Sequence, residues 1–180
     1  MGKFLDIVNL IRVRQWYKNL VVFLAIFFSG NLFNLNNLYL TSLAFVALCL
    51  ISSSYYIIND LVDLKKDKHH PEKKLRPLAS GKINKLTASI LIIILLSTSL
   101  VLAFNLSIAF FYSISSLFIL SQLYSFKLKK IIFADVLAIS LLFVIRALSG
   151  AYVINVEVSH WLILCPFFLA LFLAIGKRHA

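Results

Sequence analysis

Asp60, Asp63, Asp67 and Glu72 fall within thirteen consecutive residues of a chain that has only seven Asp and Glu in 180. The three aspartates are spaced i, i+3, i+7, which on a helix of 3.6 residues per turn gathers them within about 60° of arc, with Asn59 at the edge of that face. Like charges so placed repel unless a cation sits among them. Hard oxygen donors suit Mg2+, which typically takes one or two carboxylates, several waters and the phosphates of a substrate. Asn59, Asp60, Asp63 and Asp67 are therefore the candidate metal ligands, with Asp60 and Asp63 the candidate catalytic pair. A solvated loop in which Lys65, Lys66 and Lys68 neutralise the acids would show the same spacing.

Beside the acids runs HPEKKLRPLASGK, with Lys73, Lys74 and Arg76. Arginine offers phosphate a planar fork of donors and lysine a mobile point charge, so a basic strip next to a metal site suits a diphosphate. Anionic lipid headgroups could equally be its partners. His69 and His70, next to Pro71, read as loop residues. Arg146 is the one basic residue deep inside a long apolar run, about 16 Å along a helix from Asp135. A charge at that depth faces a cavity or a polar partner on another helix, and the sequence leaves both open. Tyr124, Lys127, Lys129 and Lys130 stand where a cavity at that end of the helices would open.

The elements that must carry these residues are apolar. The chain is 61% hydrophobic and 14% charged, against roughly 45–50% and 25% in soluble globular chains, which excludes a water-soluble core. The net charge of +11 is bunched between apolar runs, a pattern of membrane topology rather than of nucleic-acid binding. Six runs are near the length that crosses a hydrocarbon core: Trp16 to Phe33, Tyr39 to Ile58, Leu86 to Phe104, Ile108 to Ser125, Ile132 to Ile154 and Trp161 to Gly176. They are continuous rather than alternating, which predicts an all-α integral membrane protein with six transmembrane helices. Seventeen of the eighteen Lys and Arg lie before or at the very start of the first run, between the second and third, between the fourth and fifth, and after the sixth. The connections at 34–38, 105–107 and 155–160 contain none. By the positive-inside tendency both ends and the loop at 59–85 face the cytoplasm, across a cell inner or plasma membrane. Residues 1–15, with Phe4, Ile7, Val8 and Ile11 at helical spacing, predict an interfacial helix. Cys49 and Cys165 lie inside apolar runs and form no disulfide or zinc pattern.

Five ordered stretches resemble a known family. The pattern Asn59-Asp60, Asp63, Asp67, followed by RPLASG at Arg76 to Gly81, is similar to the first aspartate-rich motif of the UbiA-type membrane prenyltransferases. More narrowly, RVRQWYKN at Arg12 to Asn19, HPEKKLRP at His70 to Pro77, YSFKLKK at Tyr124 to Lys130, FVIRALSGA at Phe143 to Ala151 and GKRHA at Gly176 to Ala180 resemble the decaprenyl-phosphate phosphoribosyltransferase branch. Aromatic-acceptor members tend to carry Tyr-Pro where this chain has Tyr124-Ser125. The resemblance spans the whole chain as one UbiA-like domain. It implies six helices of a nine-helix bundle, with residues 59–85 forming an aspartate-rich active-site loop.

The activity implied by this resemblance is Mg2+-dependent transfer of phosphoribosyl from 5-phosphoribosyl diphosphate to a long-chain polyprenyl phosphate, with pyrophosphate leaving. Lys73, Lys74, Arg76, Arg14, Lys18, Lys129, Lys130, Lys177 and Arg178 would bind phosphates, and Arg146 would serve the reacting groups. The expected partners are a diphosphate-bearing substrate, a polyprenyl lipid and the bilayer, with a second copy of the chain as a further candidate and no nucleic acid. Two other readings stand beside this one. The same metal site could ionise an allylic diphosphate for prenyl transfer to an acceptor, or the chain could be a non-catalytic lipid-binding scaffold that tolerates neutral residues at 60 and 63.

Overall fold

The polar residues that interrupt the apolar runs become helix caps. Asn34 Oδ1 accepts from the backbone N–H groups of Asn36 and Asn37 at the start of α3 (Leu35–Val62). Asn84 Oδ1 accepts from Thr87 N at 2.7 Å at the start of α5 (Lys85–Leu106), and Ser107 Oγ from Phe110 N at 3.1 Å at the start of α6 (Ile108–Phe126). Each satisfies a backbone donor that a first helical turn leaves without a partner. The computed structural model describes residues 2–131 and 133–179. Its remaining helices are α1 (Gly2–Leu10), α2 (Phe23–Phe28), α4 (Leu64–His69), α7 (Ala134–Ile154) and α8 (His160–His179), with a 3-10 segment over Val13–Val22. No strand occurs among the described residues.

Among the described residues four helical stretches are long and apolar enough to cross a membrane: Leu35–Val62, Lys85–Leu106, Ile108–Lys130 and Ala134–Ile154. The apolar part of α8, His160–Gly176, is shorter. The first expected span departs most from expectation. Instead of one helix from Trp16 to Phe33, the chain makes ten residues of 3-10 helix and six of α2, then turns at Gly30, whose φ is +70°. In a 3-10 helix residues i and i+3 eclipse. That period aligns Trp16, Asn19 and Val22 on one line: Trp16 Nε1 donates to Ser53 Oγ at 3.1 Å, and Asn19 and Val22 are buried. The expected start of the fifth span, Ile132, lies outside the described residues, and α7 begins at Ala134.

Helices α3 and α7 hold most of the buried positions, while α5 turns Leu86, Ile90, Ile93, Val101 and Phe104 outward, as an apolar helix facing lipid does. The core joins Ala44, Leu48 and Ile51 of α3 to Ala103 of α5 and to Phe110, Ile114 and Leu117 of α6. Where α7 meets the 3-10 segment and α2, side chains shrink to Ala25, Ala147, Gly150 and Ala151, the small-residue packing that lets membrane helices approach closely. A methyl at Gly150 would stand 2.1 Å from the Val22 carbonyl oxygen and 3.3 Å from Ala25 Cβ. Gly150→Ala is expected to cost about 2–3 kcal/mol, read as a lowered melting temperature in detergent. Gly176→Ala, with open space around it, should melt no lower than the parent. Equal melting of the two variants would show that α7 can back away from Val22.

Candidate functional site

The helix carrying the acids breaks among them. Between α3 and α4 stands Asp63, at φ −85° and ψ 5°. The bonds Asp63 N to Asn59 O and Asp67 N to Asp63 O, both 2.9 Å, keep the backbone stack nearly continuous across it. The carboxylates of Asp60 and Asp67 are buried and come together on one side, while that of Asp63 is partly exposed on another. Arg76 Nη1 donates to Asp60 Oδ1 at 3.0 Å and to Asp67 Oδ2 at 2.7 Å, and Arg12 Nη2 donates to Asp60 Oδ1.

Each arginine is aimed by local structure. Arg76 leaves a short 3-10 turn (Lys73–Leu75) and opens a compact loop closed by Ser80 N to Arg76 O at 2.9 Å and Ile83 N to Pro77 O at 3.1 Å. Gly81 takes the positive φ of +77° that this loop needs. Leu78 and Ile83 pin it by burial against Leu10, Ile57, Leu64 and Ala88. Arg12 occupies the left-handed corner between α1 and the 3-10 segment, at φ 54°, and its guanidinium lies 4.8 Å from the centre of the Tyr56 ring.

The second part of the site is a cavity of about 120 Å³ lined by Asn59, Asp63, Lys66, Ser125, Lys129 and Lys130, with Val62 and Phe126. Asn59 Nδ2 donates to Ser125 Oγ at 2.9 Å, and Asp63 Oδ2 lies 3.7 Å from Lys129 Nζ. One turn deeper on α6, Ser121 Oγ and both polar atoms of the Gln122 carboxamide are enclosed without a hydrogen-bond partner among the described residues. The four expected metal ligands thus divide, Asp60 and Asp67 facing the arginines and Asn59 and Asp63 facing the lysine-lined cavity. Among the described residues no three His, Cys, Asp or Glu gather where they could hold a metal ion. The chemistry of Asp60 and Asp67 does fit Mg2+. Two hard, buried oxygens converge on one cationic nitrogen, the number of carboxylates that such an ion takes when substrate phosphate and water complete its shell.

Lys73, Lys74 and Arg14 are exposed, and half-buried Lys18 lies 5.9 Å from the Tyr17 ring centre. The side chains of Lys177 and Arg178 lie outside the described ones. His70 Nδ1 accepts from the backbone N–H groups of Glu72 and Lys73, a loop role. Arg146 is buried and is not among the residues lining the cavity beside Asp63. Its Nε donates to Asn19 Oδ1 at 2.9 Å, Nη1 to Leu142 O at 2.8 Å and Nη2 to Tyr55 OH at 3.1 Å. Ser52 Oγ also donates to Asn19 Oδ1, and Asn19 Nδ2 donates to Cys49 Sγ. Arg12, Asn19, Tyr55 and Ser125 are site or support residues that the sequence did not single out. Arg12 and Asn19 lie within RVRQWYKN, but nothing in that run distinguishes Arg12 from Arg14.

Residues 19–179 match the model of the UbiA prenyltransferase family. The chain is 37% identical over 178 residues to the decaprenyl-phosphate phosphoribosyltransferase of Mycolicibacterium smegmatis, covering 97% of this chain and 56% of that protein. It is 38% identical over 119 residues to the 4-hydroxybenzoate octaprenyltransferase of Blochmanniella pennsylvanica, covering 65% of this chain and 40% of that protein. It therefore spans about half the length of these curated relatives. A solved UbiA homologue from Archaeoglobus fulgidus, bound to GPP and Mg2+, shares the fold with a TM-score of 0.79 at 24% identity, over 96% of this chain and 62% of that one. With long apolar helices and a family match over nearly its whole length, this integral membrane protein belongs to the UbiA prenyltransferase family.

Proposed function

We propose that the full-length protein is a Mg2+-dependent transferase that moves phosphoribosyl from 5-phosphoribosyl diphosphate to a polyprenyl phosphate and releases pyrophosphate. The observation that carries this reading is the convergence of Asp60 and Asp67 on one cation position, beside a cavity lined by Lys66, Lys129 and Lys130. Two supports favour a sugar over a prenyl group as the part transferred. The phosphoribosyltransferase likeness extends over 97% of the chain. The Gln122 amide and Ser121 hydroxyl, enclosed and unpartnered among the described residues one turn along α6 from the cavity-lining Ser125 and Phe126, suit a hydroxyl-bearing substrate, which an isoprenyl chain is not.

In this reaction the bond from the anomeric carbon to the diphosphate breaks, its electron pair leaving on the diphosphate, and a phosphate oxygen of the lipid forms the new bond to that carbon. Asp60 and Asp67 would hold Mg2+, and Asn59 and Asp63 would join through water. When bound, the ion supplies positive charge where the leaving group gains negative charge. Lys66, Lys129 and Lys130 spread the rest of that charge, with Lys73 and Lys74 at the entrance. Arg14 and Lys18, with Lys177 and Arg178, would receive the 5-phosphate or the lipid phosphate. Arg146 holds Asn19 and Tyr55 in place from the protein interior and contacts no substrate. The lipid tail lies between helices. The chain makes six crossings, with both ends and residues 59–85 cytoplasmic, and α1, which exposes Phe4, Leu5 and Ile7, lies on the membrane surface.

Membranes containing the full-length protein, given labelled phosphoribosyl diphosphate and polyprenyl phosphate, should yield labelled lipid only when Mg2+ is present. Transfer of a labelled chain from a prenyl diphosphate to an acceptor, with none from the sugar donor, would favour the second reading, to which the GPP-bound neighbour and the octaprenyltransferase relative point. Single cysteines at Asn36 and Lys82, in a background lacking Cys49 and Cys165, should label from opposite sides of the membrane. Labelling from one side would sink the six-crossing topology.

A further inference from the structure

Arg12 and Arg76 sit on the carboxylates that the proposed function assigns to a divalent cation. The side chains of Asp60 and Asp67 are 3% and 5% exposed, so neither can be left as a bare charge. Those of Arg12 and Arg76 are 26% and 31% exposed, so it is the arginine side chains, not the acids, that reach solvent at this site. Both elements that deliver them are short, a left-handed corner and a turn, whereas the acids ride on α3 and α4. Two carboxylates against two guanidiniums make a neutral group. One divalent cation carries the same charge as the two guanidiniums together.

We propose that Arg76 and Arg12 are exchangeable counter-ions of the Asp60 and Asp67 pair. They hold the carboxylates in the metal-free protein, and a divalent cation arriving with a diphosphate displaces them. Arg76 is then left beside the site with its fork of donors free for the diphosphate that displaced it. The exchange keeps the buried carboxylates paired at every stage and makes cation binding weak until a diphosphate is present to receive the released arginine. This inference rests on the reading of Asp60 and Asp67 as cation ligands. It goes beyond that reading in assigning the two arginines a competing role, and it gives Arg12 a function in the site.

The test is direct binding of Mn2+, followed by its electron paramagnetic resonance signal, to the full-length protein in detergent without substrate. Arg76→Gln should bind Mn2+ about tenfold more tightly than the parent, because a positive charge competing for the same oxygens is gone. Its metal-free melting temperature should fall, and Mn2+ should raise it by more than it raises the parent's. Inorganic pyrophosphate should tighten Mn2+ binding in the parent and do so less in Arg76→Gln. Arg76→Lys, which keeps the charge, should bind Mn2+ as the parent does, and so should Lys65→Gln, which removes an exposed charge elsewhere on α4. If Arg76→Gln cannot be recovered folded, Arg12→Gln is read in the same way, since Asp60 then keeps one guanidinium. Equal or weaker Mn2+ binding by the folded Gln variants would overturn the exchange while leaving the metal site standing. If the parent and Asp60→Asn alike bind no Mn2+ even with pyrophosphate, the exchange falls together with the assignment of the acids to a metal.

Discussion

Asp60→Asn in the full-length protein is expected to lower kcat/KM by about 10²- to 10³-fold, and Asp67→Asn by a comparable factor. Each carboxylate supplies one of two buried oxygens that converge on the cation position, so neither can cover for loss of the other. Both variants should need more Mg2+ to reach half-maximal rate, since one hard ligand is missing. Glu72→Gln should leave the rate and its Mg2+ dependence unchanged, because Glu72 is exposed on the loop that leads to Lys73. Asp63→Asn separates the two halves of the site. Its carboxylate belongs to the cavity with Lys129, and its loss should raise KM for the diphosphate donor more than it shifts the Mg2+ requirement. A Mg2+ dependence like that of the parent in both Asp60→Asn and Asp67→Asn would return the cluster to a solvated loop held by arginines.

The second large effect is expected at Arg146, and it is one of stability. Arg146→Met removes three hydrogen bonds at once, leaving Asn19 Oδ1 to Ser52 Oγ alone and taking the charged donor from Tyr55 OH in the protein interior. Relief from burying a charge works in the opposite direction. Yet three lost hydrogen bonds from a buried charged donor, in a network spread over three elements, should make the net loss about 2–4 kcal/mol. Arg146→Lys keeps the charge and can reach only part of the set, so its melting temperature should fall between the two. In the fraction that stays folded, KM for the donor should match the parent. A raised KM at an unchanged melting temperature would instead place the guanidinium on a substrate phosphate.

Helices α3, α5, α6 and α7 were legible because long apolar runs were bounded by Asn34, Asn84 and Ser107, residues that cap as well as interrupt. The first run was not. Trp16, Asn19 and Val22 at a spacing of three look like any apolar segment until α3 and α7 are in place to receive them. At the acids, residue type and crowding mark a candidate site, but the break at Asp63 comes without a glycine or proline to signal it. Their spacing therefore predicts one face, although Asp60 and Asp67 share Arg76 and Asp63 looks elsewhere. Arg12 was hidden for a different reason. It reaches Asp60 from a left-handed corner that few residue types other than glycine and asparagine signal in advance.

The meeting of Gly150 with the Val22 carbonyl is a joint without a hinge pin. A contact between side chains can slip by changing rotamer, but backbone pressed against backbone has no torsion to yield. The 3-10 segment is therefore clamped to α7 at its last residue, and Asn19, one 3-10 turn earlier, is tied to Arg146 of the same helix. Arg12 sits at the other end of that short rod. A tilt of α7 within the bundle is therefore expected to reach the acid pair as a displacement of Arg12.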